Sequence, residues 1–172
     1  DNDIRKIIQG ATSILLRENG NNPYLIHEEL QKNMQYNVGI IRTKNEIENG
    51  IKEIDVLKSK FKDVKAPGSS QFNPGWHEAL ALRNLLISAE SVAKSALIRE
   101  ESRGAHTRED FPSEREEWIK YNIINKKGKD GKMETVKILR TNPDKELKRI
   151  AHSKLNELEK EVKIDHDKLK VS

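Results

Sequence analysis

Three helix-start signals divide the first part of the chain, and they constrain the fold more than any other feature of the sequence. Asn-Pro pairs at 22–23 and 73–74 each place a capping amide before a proline, which is favoured at the first helical position. Thr43 and Glu46 have the spacing of a capping box. Apolar residues follow each signal at intervals of three, four or seven, so the sequence predicts three amphipathic helices that pack on one another.

Each signal is followed by its own apolar stripe. The first stripe consists of Ile26, Leu30, Met34, Val38 and Ile41. The second consists of Ile47, Ile51, Ile54, Phe61 and Val64. The third helix, predicted to run to about Glu101, is apolar around much of its circumference and is therefore expected at the centre of the bundle. Its apolar residues are Trp76, Leu80, Leu82, Leu85, Leu86, Ala89, Val92, Ala93, Ala96 and Leu97.

An N-terminal helix and a structured loop are predicted on either side of these three helices. The N-terminal helix is expected to stop at the Asn-Gly pair at 19–20. Its apolar face consists of Ile4, Ile7, Ile8, Ala11, Ile14 and Leu15. Gly104 is expected to end the third helix in the left-handed conformation, after which residues 105–112 lack helical periodicity.

A β-hairpin and a last helix are predicted after residue 112. Ser113 and Glu116 indicate a short capped turn. Two alternating runs around the Asp-Gly pair at 130–131 predict the hairpin, with Ile119, Tyr121, Ile123, Val136 and Ile138 in its strands. A charged helix is predicted after the Asn-Pro pair at 142–143, and residues from Ile164 on are expected to fray. One face of that helix carries Leu147, Ala151, Leu155, Leu158 and Val162.

The composition excludes several kinds of site. The 172 residues include no cysteine, which excludes disulfides, thiolate chemistry and cysteine-ligated zinc or iron–sulfur clusters. The sequence has no glycine-rich dinucleotide turn, phosphate loop, HExxH zinc helix or GxSxG elbow. The five histidines have no metal-ligand spacing. We therefore predict no catalytic, cofactor-binding or metal-binding residue in this chain.

The charge pattern and the hydropathy of the sequence bear on whether the chain binds nucleic acid or enters a membrane. The 32 basic and 28 acidic residues are mixed along the chain, and aromatic residues make up only 5%. This pattern favours a helical surface covered by ion pairs over a nucleic-acid-binding surface, which would combine a basic stripe with aromatics. No apolar run approaches the roughly 20 residues that span a bilayer, and the N-terminus lacks the order of a signal peptide. We therefore expect no direct membrane insertion.

Residues 100–112 concentrate opposed charges in a stretch without helical periodicity. In one interpretation, its arginines and carboxylates pair with one another and with loop carbonyls, and so hold the segment against the bundle. In a second, they and His106 face another domain and support its pocket from outside. A stand-alone catalytic site with His106 as the base is the weakest interpretation, because no nucleophile, metal or cofactor cradle accompanies it.

Two motifs resemble a known family. Residues 101–112, ESRGAHTREDFP, followed by Trp118, resemble the ESRGAHxRxDxP...W signature of succinate dehydrogenase and fumarate reductase flavoprotein subunits. Residues 30–42, LQKNMQYNVGIIR, are similar to the family's LQxxMxxNxGxxR helix. The resemblance covers residues 22–139 in the same order. The first twenty residues, the lysine-rich hairpin and the last helix depart from the family pattern.

The resemblance implies a C-terminal domain of such a subunit. The implied fold is mainly α, a three-helix spectrin-repeat-like bundle with a C-terminal β-hairpin and extra terminal helices. Residues 1–21 would connect to the missing FAD domain, and residues 22–112 would form the bundle with its charged segment. Residues 113–141 would form the turn and hairpin, and residues 142–172 the charged C-terminal helix and tail.

The resemblance also implies a parent enzyme that interconverts succinate and fumarate with FAD, located in the cytoplasm and peripheral to the membrane. The implied partners are the FAD-binding and capping domains of the same subunit and an iron–sulfur subunit, with no nucleic acid. Because the family's substrate and FAD residues lie upstream, the isolated chain is expected to carry no cofactor and to be inactive. The candidates for packing and docking are Arg42, Glu101, Arg103, His106, Arg108 and Asp110.

Two alternatives remain open at this point. L-aspartate oxidase shares much of the bundle helix and an SRGxH-type signature, although the Arg-Glu-Asp-Phe-Pro run at 108–112 and the hairpin favour the succinate dehydrogenase side. A basic helical adaptor or nucleic-acid-binding bundle would explain the pI of about 9.1 but would not explain the signature.

Overall fold

The computed structural model describes residues 1–161 and divides into two compact units, Asp1–Leu139 and a second that begins at Arg140. The first unit contains four helices: α1 (Asn2–Thr12), α2 (Pro23–Asn37), α3 (Lys44–Phe61) and α4 (Pro74–Ile98). Its strands are β1 (Ile41–Arg42), β2 (Thr107–Arg108), β3 (Tyr121–Lys127) and β4 (Met133–Leu139), and a 3-10 helix covers Glu116–Lys120. Among residues 1–161, no helix combines the length and the apolar character needed to cross a membrane.

All three helix-start signals are confirmed. The side-chain oxygens of Asn22 and Asn73 accept backbone N–H groups of the first turns of α2 and α4, and each is followed by proline. Thr43 and Glu46 make both bonds of the capping box at the start of α3. Each cap satisfies N–H groups that a helix leaves without an internal partner, so these starts are decided by local chemistry.

Helices α2, α3 and α4 pack as a three-helix bundle, and the β3–β4 hairpin packs on α4, which confirms the predicted fold class. Leu85 and Val92, predicted within the apolar face of α4, are instead exposed. The buried apolar core comprises Ile14, Ile26, Leu30, Val38, Ile47, Ile54, Leu57, Val64, Ala66, Ala79, Leu82, Leu86, Ala89, Ala93 and Ala96.

Gly50 lies where α3 meets the C-terminal end of α2. A Cβ atom at this position would lie 2.8 Å from Val38 Cγ2 and 3.1 Å from Asn37 Cβ. The buried side chain of Asn33 donates to the Gly50 carbonyl oxygen over 2.9 Å. The sequence shows Gly50 only as a weak point in a helix, whereas the structure shows that its missing side chain lets the two helices approach closely.

Helix α1 ends earlier than predicted, at Thr12 instead of the Asn-Gly pair at 19–20. The hydroxyl of Thr12 donates to the Ile8 carbonyl over 2.9 Å, and that of Ser13 donates to the Gly10 carbonyl over 3.1 Å, which competes with continued helical bonding. Of the predicted apolar face, only Ile14 is buried, in the turn after the helix. Its residues Ile4, Ile7 and Ile8 are exposed.

Two further expectations about helix ends were wrong. Ile41, placed in the α2 stripe, is exposed in β1, because α2 ends at Asn37 and the chain turns to pair with β2. Helix α4 ends at Ile98, where Arg99 takes an extended conformation, so it stops short of Glu101. Gly104 does have a positive φ of 58°, but it lies in the tight turn between Arg103 and His106 and does not end the helix.

The hairpin is confirmed, with Ile124 opposite Val136 and Gly131 at a φ of 78° in the turn. The prediction for Ile119 was wrong: it lies in the 3-10 helix Glu116–Lys120, because β3 begins only at Tyr121. The Asn125 amide donates to the Ser91 and Ser95 hydroxyls on α4 over 2.7 and 2.8 Å. The expected capped turn was wrong in detail: the 3-10 helix starts after Arg115 without a side-chain cap. Ser113 instead accepts the Ser102 N–H at its carbonyl, which ties it to the charged segment.

The second unit contains two short helices, α5 (Lys145–His152) and α6 (Leu155–Glu161), where one helix was predicted. Asp144 caps α5, so the start lies after the Asn-Pro pair. Ser153 breaks the helix because its backbone is extended and its hydroxyl donates to the Arg149 carbonyl. The predicted face residues Leu147 and Leu155 are exposed. Val162 and the tail from Ile164 lie outside the described residues.

Candidate functional site

The charged segment folds back over the C-terminal end of α4, and its backbone is held by β1. The Thr107 N–H donates to the Ile40 carbonyl over 3.2 Å, and the Glu109 N–H donates to the Arg42 carbonyl over 3.1 Å. This parallel pair places Arg42 beside the segment, although the two are more than sixty positions apart in the chain. All six candidate residues therefore lie in one region of the first unit.

Arg108 closes the end of α4. Its side chain is only 1% exposed, and its Nη1 donates to the carbonyl oxygens of Ala96, Leu97 and Arg99 over 2.9, 3.1 and 3.3 Å. These are carbonyls that the last helical turn leaves without N–H partners, and the negative end of the helix dipole favours a cation there. Arg108 thus acts as an internal cap that comes from ten residues beyond the helix.

Asp110 links the same guanidinium to α3. Its two carboxylate oxygens accept from Nε and Nη2 of Arg108 over 2.7 Å each, a bidentate pair. One of them also accepts the backbone N–H of Lys44, the first residue of α3, over 3.1 Å. The hydrogen bond from Arg108 lowers the pKa of Asp110, so the carboxylate is ionised at neutral pH. The Arg108–Asp110 pair therefore ties the end of α4 to the start of α3.

Glu101 is fully buried and holds the first part of the segment. Its carboxylate accepts from Arg103 Nη2 over 3.1 Å, from the Arg115 N–H over 2.9 Å and from Arg99 Nε over 2.9 Å. Burial by itself would raise the pKa of Glu101, but the hydrogen bonds from Arg103, Arg115 and Arg99 outweigh it and lower the pKa to about 2. Arg103 also pairs with Glu114 over 3.0 Å.

His106 and Arg42 form one corner of the region, and both side chains are partly buried. Arg42 Nη2 lies 2.6 Å from His106 Nδ1, and His106 Nε2 lies 3.1 Å from the Arg99 carbonyl oxygen. Because a guanidinium only donates and a carbonyl only accepts, His106 must be neutral, with its proton on Nε2. Burial lowers the pKa of His106, and the charge of Arg42 acts in the same direction.

Arg42 differs from the other arginines of this region in having no carboxylate partner within residues 1–161. Its Nη1 donates to the Val38 carbonyl over 3.1 Å, while its buried Nε has no hydrogen-bond partner. The exposed neighbours Ile40 and Ile41 are apolar. A partly buried positive charge thus lies uncompensated beside exposed apolar surface.

Sequence reasoning missed Arg99 and Trp118 as members of this network. The Arg99 carbonyl accepts from both His106 and Arg108, and the Arg99 guanidinium binds Glu101. Arg99 therefore links three of the six candidate residues to one another. Trp118 is buried under Arg99 and Lys137, with Lys137 Nζ 3.9 Å from its ring centroid. Arg99 lies inside the predicted third helix, so its sequence position contained no signal for this role.

The arrangement is suited to holding the charged segment in place. The part of the chain that the structure describes brings together no three metal-ligating side chains. The parallel strands β1 and β2 pair over only two residues, and no glycine-rich turn follows β1. The residues of this region therefore do not fit a dinucleotide cofactor. The carboxylates at positions 101 and 110 are both held by arginine. Within residues 1–161, the hydrogen-bond partners of the His106 ring are Arg42 and the Arg99 carbonyl oxygen.

The fold and this site define a class: a helical scaffold domain whose charged segment joins the ends of two bundle helices. The chain belongs to the family described as "Fumarate reductase flavoprotein C-term", whose model matches residues 27–150. The predicted resemblance to the succinate dehydrogenase and fumarate reductase flavoprotein subunits is thereby confirmed.

Individual relatives agree with this assignment. The chain is 42% identical over 113 residues to a subunit of the CoM/CoB fumarate reductase of Methanothermobacter marburgensis, covering 66% of this chain and 21% of that protein. It is 38% identical over 105 residues to a succinate dehydrogenase flavoprotein subunit of Rickettsia conorii, covering 59% of this chain and 18% of that protein. The chain thus spans about a fifth of the length of these curated relatives.

A solved structure shows the same architecture. The Sdh1 complex of Mycobacterium smegmatis in its apo form contains a chain that matches with a TM-score of 0.80 and 33% identity, covering 95% of this chain and 28% of that one. Together these comparisons do not favour L-aspartate oxidase or a nucleic-acid-binding bundle.

Proposed function

We propose that this chain is the helical domain of a larger FAD-dependent oxidoreductase that interconverts succinate and fumarate. The observation that carries the proposal is the family match over residues 27–150. Relatives named as fumarate reductase and succinate dehydrogenase subunits support it. FAD and substrate would be held by parts of the parent protein outside this chain. The chain alone is therefore expected to be colourless and inactive with succinate.

In the parent, the chain would pack against the FAD-binding and capping domains and support docking of the iron–sulfur subunit, with residues 1–21 as the connection to the FAD domain. We assign the docking contact to the Arg42 corner, defined as Ile40, Ile41, Arg42, Ala105 and His106. A neighbour that placed a carboxylate and apolar side chains here would neutralise the uncompensated guanidinium and cover both isoleucines.

The remaining candidates would support the Arg42 corner without forming its contact surface. Glu101 and Arg108 have almost no exposed side chain, so they would shape the docking surface without touching a partner. Arg103 and Asp110 would complete the ion pairs that hold the segment in place. This division of roles combines the two interpretations of the charged segment. Ion pairs within the segment would hold it rigid, and the Arg42 corner would remain free to contact a partner.

The activity is tested on the full-length parent subunit. Succinate oxidation with a dye acceptor is measured beside L-aspartate oxidation, and fumarate reduction is measured with a reduced dye and with CoM and CoB, the pair in the name of one relative. Turnover of succinate or fumarate is expected. Turnover of L-aspartate alone would refute the proposed reaction.

The docking role is tested with Arg42→Gln in the full-length subunit, with Lys44→Gln as the matched control on an exposed side chain two positions away. We expect Arg42→Gln to reduce recovery of the iron–sulfur subunit in a pull-down while the melting temperature of the 172-residue chain falls by no more than about 3 °C, roughly 1 kcal/mol. Full recovery of the iron–sulfur subunit with Arg42→Gln would show that the Arg42 corner is not part of the interface.

A further inference from the structure

A second surface of the first unit is a groove between α3, α4 and the turn end of the β3–β4 hairpin. It encloses about 1120 Å³ and is open to solvent along its length. Seven basic and two acidic side chains line it. None of the six docking candidates lies in its wall, so this groove is a separate feature from the Arg42 corner.

The inner basic residues of the groove are neutralised within the chain. The carboxylate of Glu90, only 6% exposed, pairs with Lys58 across the helix interface and with Lys94 over 2.8 Å. Lys94 also donates to the Met133 carbonyl over 3.0 Å, which fixes the hairpin to α4. Lys126 lies 3.4 Å from Glu134 across the hairpin. Lys58 and Lys94 therefore belong to the packing of the groove wall, whereas Lys126 is exposed but paired.

Four basic residues at the edge of the groove are not neutralised in this way. Lys62, Arg83, Lys127 and Lys132 are exposed, and none has an ion-pair partner in the described range 1–161. They come from the residue after α3, from α4 and from both sides of the hairpin turn, so three parts of the fold place four positive charges around one depression. The edge of the groove therefore carries four positive charges that form no ion pair within residues 1–161.

Apolar side chains lie between these charges. Ile87 and Val92 of α4 are 48% and 50% exposed within the groove, and the partly buried Met133 lines it from the hairpin. No aromatic residue is among the lining side chains. The surface therefore offers apolar contacts flanked by cations but no ring on which a base could stack.

We propose that this groove binds an acidic segment of a protein partner, in which carboxylates alternate with aliphatic residues. The four edge cations would pair with the carboxylates, and Ile87, Val92 and Met133 would cover the aliphatic residues. The absence of aromatics from the lining disfavours single-stranded nucleic acid, which is bound through stacking. The open form of the groove suits an extended chain.

The test uses the 172-residue chain and a fluorescent peptide that repeats Glu-Glu-Leu, with binding followed by fluorescence anisotropy at two salt concentrations. The double variant Lys62→Glu/Lys132→Glu should weaken binding at least about tenfold, and added salt should weaken wild-type binding. The matched control Arg5→Glu/Lys120→Glu changes net charge equally at exposed positions outside the groove and should change affinity less than about twofold. Circular dichroism establishes that each variant keeps its helices.

The apolar part of the proposal is tested separately. Ile87→Ser/Val92→Ser should weaken binding of the Glu-Glu-Leu peptide by about tenfold, but should not change binding of a matched Glu-Glu-Ser peptide. No saturable binding at low salt, or equal loss with the control variant, would overturn the proposal. Tighter binding of single-stranded DNA, lost in the Lys62→Glu/Lys132→Glu variant, would assign the groove to nucleic acid instead. A dimer lost in that variant would assign it to a second copy.

Discussion

Replacing Glu101 with glutamine removes a negative charge from a fully buried site while preserving the shape of the side chain. The carboxylate has an ordinary pKa of 4.5, and the surrounding hydrogen bonds lower it to about 2 in the folded protein. That difference of about 2.5 pKa units corresponds to about 3 kcal/mol of folding free energy at neutral pH. Glutamine forfeits this contribution and leaves the guanidinium groups of Arg99 and Arg103 without their shared counter-charge.

The pH dependence of this loss distinguishes the ionised carboxylate from simple packing. A carboxylate whose folded pKa is depressed stabilises the protein above its unfolded pKa, and the stabilisation is lost as pH falls through the folded pKa. The free-energy difference between wild type and Glu101→Gln should therefore be about 3 kcal/mol at pH 7, about 1 kcal/mol at pH 3, and smaller still near pH 2. Other acidic groups are present in both proteins and cancel in the difference.

Urea unfolding followed by circular dichroism measures this difference between pH 3 and 7. Glu100→Gln is the matched control, because the neighbouring carboxylate is exposed and lies 4.0 Å from its nearest arginine. The control should differ from wild type by less than about 0.5 kcal/mol at every pH. A difference for Glu101→Gln that stays constant from pH 7 to pH 3 would refute the reasoning, since the folded and unfolded pKa values of Glu101 would then be equal.

Two substitutions test the packing around the site. Arg108→Lys keeps the charge but cannot bind Asp110 through two nitrogens while capping α4, so it should cost about 2–3 kcal/mol in urea unfolding, and a cost below about 0.5 kcal/mol would contradict the cap. Gly50→Ala should destabilise the bundle by about 1 kcal/mol, because overpacking against Val38 exceeds the gain in helix propensity. In a double-mutant cycle, Val38→Ala should relieve that cost, and strict additivity would count against the close contact.

Much of the bundle could be predicted from sequence because its helix starts depend on local chemistry. The capping side chains of Asn22, Thr43 and Asn73 bond to N–H groups two or three residues away, so the three starts were identified correctly. The helix ends were less predictable. They depend on tertiary contacts as well as local ones. At the end of α1, the Ala11 carbonyl accepts from Trp76 Nε1 beside the local hydroxyl bonds of Thr12 and Ser13.

In the charged segment, too, some features could be predicted from the sequence and others could not. Its residue types indicated an ordered network, and its motif indicated the family, but the partners could not be assigned. Arg99 was placed inside a helix by periodicity, although its carbonyl and guanidinium connect the whole network. The sequence indicated only the lysine-rich hairpin of the basic groove, since no local pattern places Lys62, after α3, or Arg83, in α4, beside it.

By itself, the sequence determined the three capped amphipathic helices, the hairpin and the family, because each depends on residues close together in the chain. Only the tertiary structure decided that Arg42 meets His106, that Asp110 reaches the first N–H of α3, and that Glu101 is buried among arginines. The first two contacts join positions more than sixty residues apart. Their geometry depends on how the helices cross, and therefore on the packing of the whole bundle.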